Sequence, residues 1–324
     1  MTTLRRLGLS LFLAAASMAV GHTWSQGYPV RPVRMIVPFA PGGATDVIAR
    51  VVSDRLSERI GQRVVVENRA GGAAIPGTEV VARAAADGYT LLLTANPHTV
   101  NAALQPKLPY DPLADFDPIS LAGLQPLFLV LNPSVPAQTL AELVTELKAH
   151  PDRYYYSSSG TGGPQHLAGE MFKQMTGAPM THVPFKGAAP AATELLSGRV
   201  QIAFGGATNV LPLVQAGRMR VLATSSSKRT ALAPNIPTLR ELGLQNFESV
   251  AWLGVLAPRG VSLEIVSRLA EEIRLVLNEE KTREKLFSQG IEAVGSSPGE
   301  FATFLKDDLT RWSKVIRESN IKPD

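Results

Sequence analysis

The stretch VRMIVPFAPGGATDVIA, residues 33–49, reads as a buried strand, a glycine turn and the start of a helix. Up to Phe39, apolar residues occupy alternate positions and some of the positions between them, as in a strand of an α/β sheet that is covered on both faces. From Val47 to Ile60, apolar residues recur at helical spacing. Such a turn aims free backbone N–H groups and the positive end of a helix dipole at one place. It is either a tight connection or a cradle for an anion.

This unit of strand, glycine loop and helix repeats along the chain, which predicts parallel strands in a doubly wound α/β sheet. Because the carboxyl ends of parallel strands meet at one edge, the loops that follow them should converge on one crevice. After the third strand the chain is expected to form a loop, Asn96 to Thr99, which contains His98. The predicted strands after the first cover residues 63–67, 89–95, 153–157, 181–185, 200–204 and 219–225.

A proline- and aspartate-rich segment, LPYDPLADFDP at residues 108–118, separates two sets of these units. Strand-like runs at 119–123 and 126–132 predict a crossing into a second lobe, and SVAWLGVL at 249–256 predicts the return. Two crossings make a hinged clamshell with a cleft between facing loops. A long amphipathic helix near 298–320 should pack on the first lobe. The predicted division is a signal peptide at 1–25, lobe 1 at 28–124 and 250–324, and lobe 2 at 125–249.

The N-terminus has the order of a secretory signal peptide. Arg5 and Arg6 precede an apolar run, Leu7 to Val20, that is too short to span a bilayer comfortably. Small residues then permit cleavage, and a mature N-terminus is expected between Val20 and Gly27. The alternative is a buried N-terminal helix. The sequence therefore predicts an exported, periplasmic protein whose signal peptide is removed.

Composition narrows the classes of function. The chain has no cysteine, which excludes disulfides, thiol catalysis and cysteine metal sites. Its formal net charge is +4, and two of the positive charges, Arg5 and Arg6, lie in the leader. The remaining charges are interspersed, with no basic patch between aromatic residues, which argues against nucleic acid as a partner.

Glycines and helix starts follow at least five strand ends, at Gly42-Gly43, Gly71-Gly72, Gly160 to Gly163, Gly187 and Gly205-Gly206. If two lobes face each other with free N–H groups, this arrangement predicts a pocket for a small anion. The serine-rich loop has no lysine or arginine, so backbone amides, hydroxyls and water are expected to bind the anion rather than a salt bridge. The polar side chains of these loops are Ser158, Ser159, Thr161, Thr208 and Asn209.

No motif points to catalysis, so we predict neither an enzyme nor a cofactor or metal. The chain has no HExxH and no G-x-x-x-x-G-K-[ST], its serine-rich loop lacks the G-x-S-x-G elbow, and Pro41-Gly42-Gly43 does not fit G-x-G-x-x-G. His166 and His98 are either ligand candidates or capping and solvent-facing histidines. Asp46 either favours the helix dipole or binds ligand. Phe39, like Trp252, is either a core residue or stacks on a ligand.

An ordered succession of segments runs from about Tyr28 to Asp324: YPVRPVRMIVPFAPGGATDVIAR, VVVENRAGGAA, DGYTLLL, LPYDPLADFDPISL, HLAGEMFKQMTG, HVPFKGAAPA, LPLVQAGRMRVLA, NIPTLRELGL and RWSKVIRESNIKP. In this order they resemble the Bug-type extracytoplasmic solute receptors of tripartite tricarboxylate transporters. The resemblance implies the fold of a type II periplasmic binding protein, two α/β lobes joined by crossing strands. It also implies a small carboxylate as ligand, membrane permease subunits as partners, and a monomer.

In that family the carboxylate is held between the first two βα loops, partly through ordered waters. Carried over by resemblance, the first loop supplies Gly43 to Asp46 and the second supplies Gly72 to Ala74. The second lobe supplies its serine-rich loop, with His166 close by, and Lys186-Gly187 matches the family's KG turn. The full set of candidate ligand-binding residues is Phe39, Gly43, Ala44, Thr45, Asp46, Gly72, Ala73, Ala74, Asn96, His98, Ser158, Ser159, Thr161, Gly162, His166, Gly187, Gly205 and Thr208.

One departure from the family concerns Gly205, where relatives commonly have an aspartate after the strand. Without a carboxylate facing the cleft, an amino-acid ligand is disfavoured and a bulkier group should fit. Two alternatives stay open. One is an exported α/β enzyme that acts on a carboxylate in the same cleft, which the missing nucleophile–base pair disfavours and the fold does not decide. The other is a receptor that feeds a sensor kinase instead of a permease.

Overall fold

The structure is a computed structural model that describes residues 27–105 and 107–322. The predicted signal peptide lies outside the described residues. The described residues from Arg31 onward cluster into one compact unit, and every helix and strand named below belongs to it. The described residues before it, 27–30, contain neither. Over the described ranges, no helix is both long enough and apolar enough to cross a bilayer.

In the described part of the chain, ten strands pair with one another. The first is covered on both faces, because Val33, Met35, Ile36 and Val37 are all fully buried. In chain order the strands are β1 (Val33–Val37), β2 (Val64–Asn68), β3 (Thr90–Ala95), β4 (Phe116–Leu131), β5 (Tyr155–Ser158), β6 (Thr181–Pro184), β7 (Ile202–Gly206), β8 (Arg220–Thr224), β9 (Val250–Pro258) and β10 (Glu292–Ala293).

Helices alternate with these strands. The first ends at Gly61, whose φ of 70° is the left-handed conformation that closes many helices. The last begins with a capping box between Ser297 and Glu300. The α-helices are α1 (Ala44–Ile60), α2 (Ile75–Ala82), α3 (Pro97–Leu104), α4 (Leu140–Ala149), α5 (Pro164–Thr176), α6 (Ala188–Leu196), α7 (Ala207–Gln215), α8 (Leu263–Asn278), α9 (Glu280–Phe287) and α10 (Pro298–Glu318).

The strands form a mixed sheet in the order β2-β1-β3-β9-β4-β7-β5-β6, and β8 and β10 also pair with β4. At one end β2, β1 and β3 run parallel. At the other end β7, β5 and β6 run parallel. Between them β4 and β9 run antiparallel to each other and to the neighbours β7 and β3. The predicted α/β fold is confirmed, with two parallel halves joined by two crossing strands.

Strand β4 belongs to both halves of the sheet. From Phe116 to Pro126 it pairs with β9, and from Leu127 to Leu131 it pairs with β7. Register shifts interrupt the pairing with β9 twice, as bulges do where a strand must bend. The prediction of two separate runs here is wrong, because one strand of 16 residues continues through the point where its partner changes from β9 to β7.

Alternate residues of β4 lie in two different cores. Leu127, Leu129 and Leu131 belong to one buried apolar cluster. Phe128 and Val130, which point to the opposite face, belong to another. The second half of this strand is therefore covered by apolar residues on both of its faces.

Helix α10 packs against both halves of the sheet. Phe301 and Leu305 lie in a buried cluster with Trp252 of β9. About two to three turns later, Trp312 and Ile316 lie in the cluster that includes the second half of β4. The expectation that this helix packs on the first lobe therefore describes only its first half. The division of the chain into two lobes at residues 124/125 and 249/250 stays a prediction.

The segment predicted to be a loop at Asn96 to Thr99 is instead the start of helix α3. Pro97 occupies the first helical position, where its missing N–H has no consequence and its fixed φ suits the helix. Val100 and Leu104 then recur at helical spacing and pack against a buried apolar cluster. The loop prediction is wrong because the Asn-Pro pair, which often marks a turn, here marks a helix N-terminus.

Candidate functional site

Two cavities open beside the loop that follows β5, residues 158–163, which we call the cleft loop. Their volumes are about 320 Å³ and about 200 Å³, and we call the two together the cleft. Among the described residues, no lysine, arginine, aspartate or glutamate lines either cavity. The first cavity is lined in part by Ala73, Asn101, Gln105, Thr161, Gly162 and Gly163, and the second in part by Gln125, Ser159, Gln165, Gly206, Thr208 and Asn209.

Helices α5, α6 and α7 all begin at the second cavity. Their N-cap residues are Gly163, Gly187 and Gly206, none of which caps its helix with a side chain. The first residue of each helix lines the cavity. The first N–H groups of a helix have no partner within it, and they carry the positive end of its dipole. Pro164 at the start of α5 has no N–H, so the donors in this wall come from the next residues of α5 and from the starts of α6 and α7, and such donors suit an anion.

The loop after β2 is held in a strained left-handed turn. Gly71, Gly72, Ala73 and Ala74 have φ values of 123°, 49°, 53° and 71°. This conformation costs an alanine about 1–2 kcal/mol, because its Cβ crowds the following carbonyl. Asn101 of α3 donates from Nδ2 to the carbonyl of Ala73 at 2.8 Å and so holds the turn. Strain of this kind is common at ligand-binding sites, and this turn borders the first cavity.

The loop after β1 is organised around the carboxylate of Asp46. This carboxylate accepts hydrogen bonds from the backbone N–H of Gly42 at 2.9 Å, from Asn68 at 2.9 Å and from Arg50 at 3.0 Å. Burial raises the pKa of Asp46, but the hydrogen bonds from Arg50, Gly42 and Asn68 outweigh burial and lower the pKa from 3.8 to about 2. Because both oxygens are occupied, the structure favours a loop-shaping role for Asp46 over contact with a ligand.

Asn96 and His98 are built into the core beside the crossing strand. Asn96 donates to the carbonyl of Val250 at 3.1 Å and accepts from the backbone N–H of Trp252 at 3.0 Å. His98 donates from Nε2 to the carbonyl of Pro112 at 2.8 Å. Burial lowers the pKa of His98 from 6.5 to about 4, despite the opposing effect of that hydrogen bond. Both side chains therefore have structural partners that account for their position.

Gly205 lies against helix α7 rather than beside free space. A Cβ at this position would come within 2.2 Å of Cγ1 of Val210. The expectation that the missing aspartate leaves room for a bulkier ligand group is therefore wrong, because Val210 fills that space.

The cleft loop is anchored by two histidines. Gly162 donates its backbone N–H to Nδ1 of His166 at 3.0 Å. The hydroxyl of Ser158, fully buried, lies 2.7 Å from Nε2 of His182. The two imidazole rings stack, with centroids 3.8 Å apart and planes within 5° of parallel.

The structure brings only some of the predicted site residues to the cleft. Ala73, Ser159, Thr161, Gly162 and Thr208 line it. The ligand role of every residue in the predicted set stays a prediction. The predicted residues that line neither of the two cavities are Phe39, Gly43, Ala44, Thr45, Asp46, Gly72, Ala74, Asn96, His98, Ser158, His166, Gly187 and Gly205.

Besides Asn209, which the sequence marks as a polar loop residue, four amide side chains that line the cleft are missing from the predicted set: Asn101, Gln105, Gln125 and Gln165. Gln165 alone has a sequence signal, since it lies in the first turn of a helix that follows a glycine loop. Within the described ranges, no group of three His, Cys, Asp or Glu side chains is placed to hold a metal ion.

The chain matches known proteins over almost its whole length. The sequence profile of the family described as "Tripartite tricarboxylate transporter family receptor" matches residues 48–321. Protein BugT of Bordetella pertussis is 38% identical over 316 residues, which cover 97% of each chain.

Solved structures share the fold. A structure described as that of a periplasmic transporter is 38% identical, with a TM-score of 0.75, and the match covers 92% of this chain and 100% of the other. The protein Rpa4515 of R. palustris, solved with adipate, is 34% identical with a TM-score of 0.75 and the same coverage. The expected periplasmic-binding-protein architecture is confirmed.

Proposed function

The chain belongs to the receptor family of tripartite tricarboxylate transporters, and on this basis we propose that it captures a small organic carboxylate in the cleft and delivers it to membrane permease subunits. The adipate bound to the R. palustris protein supports a carboxylate as the class of ligand. The proposal carries over that class of ligand without naming the individual acid.

The observation that carries the proposal is the convergence of α5, α6 and α7 on the second cavity. Three helix N-termini without side-chain caps supply N–H donors and positive potential there. No acidic side chain among the described residues lines the cavity to repel an anion. Ser159, Thr208 and Asn209 add hydroxyl and amide groups. This chemistry suits a carboxylate better than an ammonium group, which would find no anionic partner.

A thermal-shift screen tests the proposal. Mono-, di- and tricarboxylates, including adipate, are added to the purified protein together with the matched amides, which lack the charge. A ligand that binds only the folded state adds about 2.7 kcal/mol of stability at a concentration 100 times its Kd. We expect at least one carboxylate, and none of the amides, to raise the melting temperature. If no carboxylate raises it, the proposal fails.

Closure of two lobes around the ligand is part of the proposal. The two parallel halves of the sheet are joined by the crossing strands and by helix α10, an arrangement that permits a hinge. Small-angle scattering should show a monomer whose radius of gyration falls when the carboxylate identified by the screen is added. An unchanged profile at saturating ligand would contradict the hinge.

Export to the periplasm is proposed from the order of charged, apolar and small residues at the N-terminus. N-terminal sequencing of the exported protein should find a first residue between Val20 and Gly27. An intact Met1 on exported protein would contradict it.

An enzyme in the same cleft is the competing function, and one contact favours it. Ser158 and His182 lie at 2.7 Å, the distance of a nucleophile and its base. The sequence predicts that no nucleophile–base pair is present, and the structure corrects that prediction. However, Ser158 has no exposed surface, so its hydroxyl does not reach a substrate. Any hydrolysis of a carboxylate ester that Ser158→Ala abolishes would favour the enzyme over the receptor.

A further inference from the structure

The stacked histidines are built into the interface between helix α5 and the sheet. His166 is in the first turn of α5 and only 5% exposed, and His182 lies on strand β6. The ring of Tyr156, from the neighbouring strand β5, lies 4.9 Å from that of His182 and 6.4 Å from that of His166. Three elements thus fix the two rings directly behind the cleft loop.

Each ring holds one end of the cleft loop. His166 accepts the backbone N–H of Gly162, which lines the first cavity. His182 binds Ser158, the residue before Ser159, which lines the second cavity. The cleft loop, which borders both cavities, is therefore held by the two imidazoles, one near each of its ends.

The hydrogen bond from Gly162 requires one particular form of His166. A ring nitrogen that accepts a hydrogen bond carries no proton, so His166 is neutral with its proton on Nε2. A proton added at Nδ1 would set a donor against the donor N–H of Gly162 and release that end of the loop.

Neighbouring groups determine how easily the pair takes up charge. Two protonated rings 3.8 Å apart would repel each other strongly. Among the titratable groups packed nearby are Tyr156 of β5 and the Glu170–Lys173 ion pair of α5, closed at 2.9 Å. Burial raises the pKa of Glu170, but its hydrogen bonds with Lys173 and Tyr156 and the charge of His166 lower it, so this carboxylate and the ring of His166 act on each other.

We propose that His166 and His182 are positioning residues for the cleft loop and that His166 acts only in its neutral form. The proposal rests on the proposed function in that the cleft is taken as the ligand site. It requires a hydrogen-bond acceptor at the position of Nδ1 of His166, and it does not require the imidazole as such.

Paired substitutions at His166 test this requirement. His166→Asn places an amide oxygen close to the position of Nδ1 and cannot be protonated there, whereas His166→Ala leaves no acceptor. Adipate affinity, measured by calorimetry at neutral pH, should fall by about tenfold in His166→Ala and stay within about threefold of wild type in His166→Asn. The control is His150→Asn at an exposed histidine, which should change nothing.

A second measurement needs no ligand. The ¹H–¹⁵N signal of Gly162 is followed from neutral to acidic pH, alongside the ring signals of labelled histidine. In wild type the Gly162 signal should move together with protonation of His166 and not with that of His150. In His166→Asn the Gly162 signal should stay constant over the same range. Adipate affinity should fall with acid in wild type more than in His166→Asn, a comparison that cancels the ionisation of adipate itself.

The two measurements separate failure of this inference from failure of the proposed function. If His166→Asn is as weak as His166→Ala, or if the Gly162 signal ignores protonation of His166, the positioning role is overturned. If wild type binds neither adipate nor any other carboxylate in the screen, the proposed function fails. The Gly162 signal still decides whether His166 positions the loop.

Discussion

Trp252 of strand β9 donates its indole N–H to the carboxylate of Asp308 in helix α10 at 2.9 Å. Thr99 of α3 donates to the same oxygen at 2.6 Å, and Trp312 donates to the other oxygen at 2.8 Å. Asp308 is only 1% exposed, and burial raises its pKa although these hydrogen bonds act to lower it. One buried carboxylate therefore ties a crossing strand to two helices.

Asp308→Ala should destabilise the protein strongly, because it leaves the indole N–H groups of Trp252 and Trp312 without an acceptor, whereas Thr99 can still donate to the carbonyl of Asn96 at 3.1 Å. Each unpaired donor costs about 1–3 kcal/mol, so we expect a loss of about 2 kcal/mol or more in the free energy of unfolding by urea. Asp308→Asn should lose less, since its amide oxygen still accepts from Thr99 and Trp252. A loss below about 1 kcal/mol in Asp308→Ala would show that the carboxylate is not needed.

Asp46 should make stability depend on pH in the acid range. Its folded pKa of about 2 lies below the ordinary 3.8, so its contribution is present above the ordinary value and disappears as the pH falls through the folded one. Asp46→Asn should therefore cost about 1 kcal/mol near neutral pH, a figure reduced for the half-exposed Arg50, and almost nothing near pH 2. Urea unfolding of both proteins across this range measures it. Asp54→Asn, at an exposed position of the same helix, is the control variant for the loss of a carboxylate there.

Ala73→Gly should stabilise the protein by up to about 1 kcal/mol, because glycine adopts a φ of 53° without the penalty of a Cβ. Ala102→Gly, in helix α3, is the matched control and should destabilise by about 0.5–1 kcal/mol. Thermal unfolding of the two variants compares them. Equal losses in both would mean that the left-handed turn stores no strain.

Gly205→Asp alone should lower stability by about 1–3 kcal/mol, because its Cβ overlaps Val210. Combining it with Val210→Ala makes room for the side chain. In this double variant a carboxylate ligand should bind about tenfold more weakly than in Val210→Ala alone, and an amino acid should lose less or gain. Equal affinities by calorimetry would place residue 205 outside the reach of the ligand, and the argument against amino-acid ligands would fall with it.

Local sequence patterns are sufficient to predict much of the fold. Hydrophobic spacing predicts the last helix with its correct start at Pro298. Helix α3 escapes prediction because Asn96-Pro97 also fits a turn, and the contact of Asn96 with β9 that fixes the choice comes from a strand 154 residues away.

Less of the site than of the fold can be predicted from the sequence. Glycine loops do mark the three helix starts around the second cavity, since a helix entered from glycine keeps its N–H groups free. Sequence does not show that Arg50 and Asn68 already occupy the carboxylate of Asp46. Nor does it show that Gly205 faces Val210. Both depend on how a helix is rotated against the strand before it, which distant packing decides.

The length of strand β4 is tightly constrained. Deleting one residue just after Pro126 would exchange the two faces of everything beyond it, so that Phe128 and Val130 would take the places of Leu127 and Leu129. The pairing of the first half with β9 would stay as it is. The second half would then point its side chains to the wrong faces relative to the first half. A change of length should therefore be tolerated far better in the loops than in this strand, and the cleft can be remodelled by substitution or loop insertion without a shift of β4.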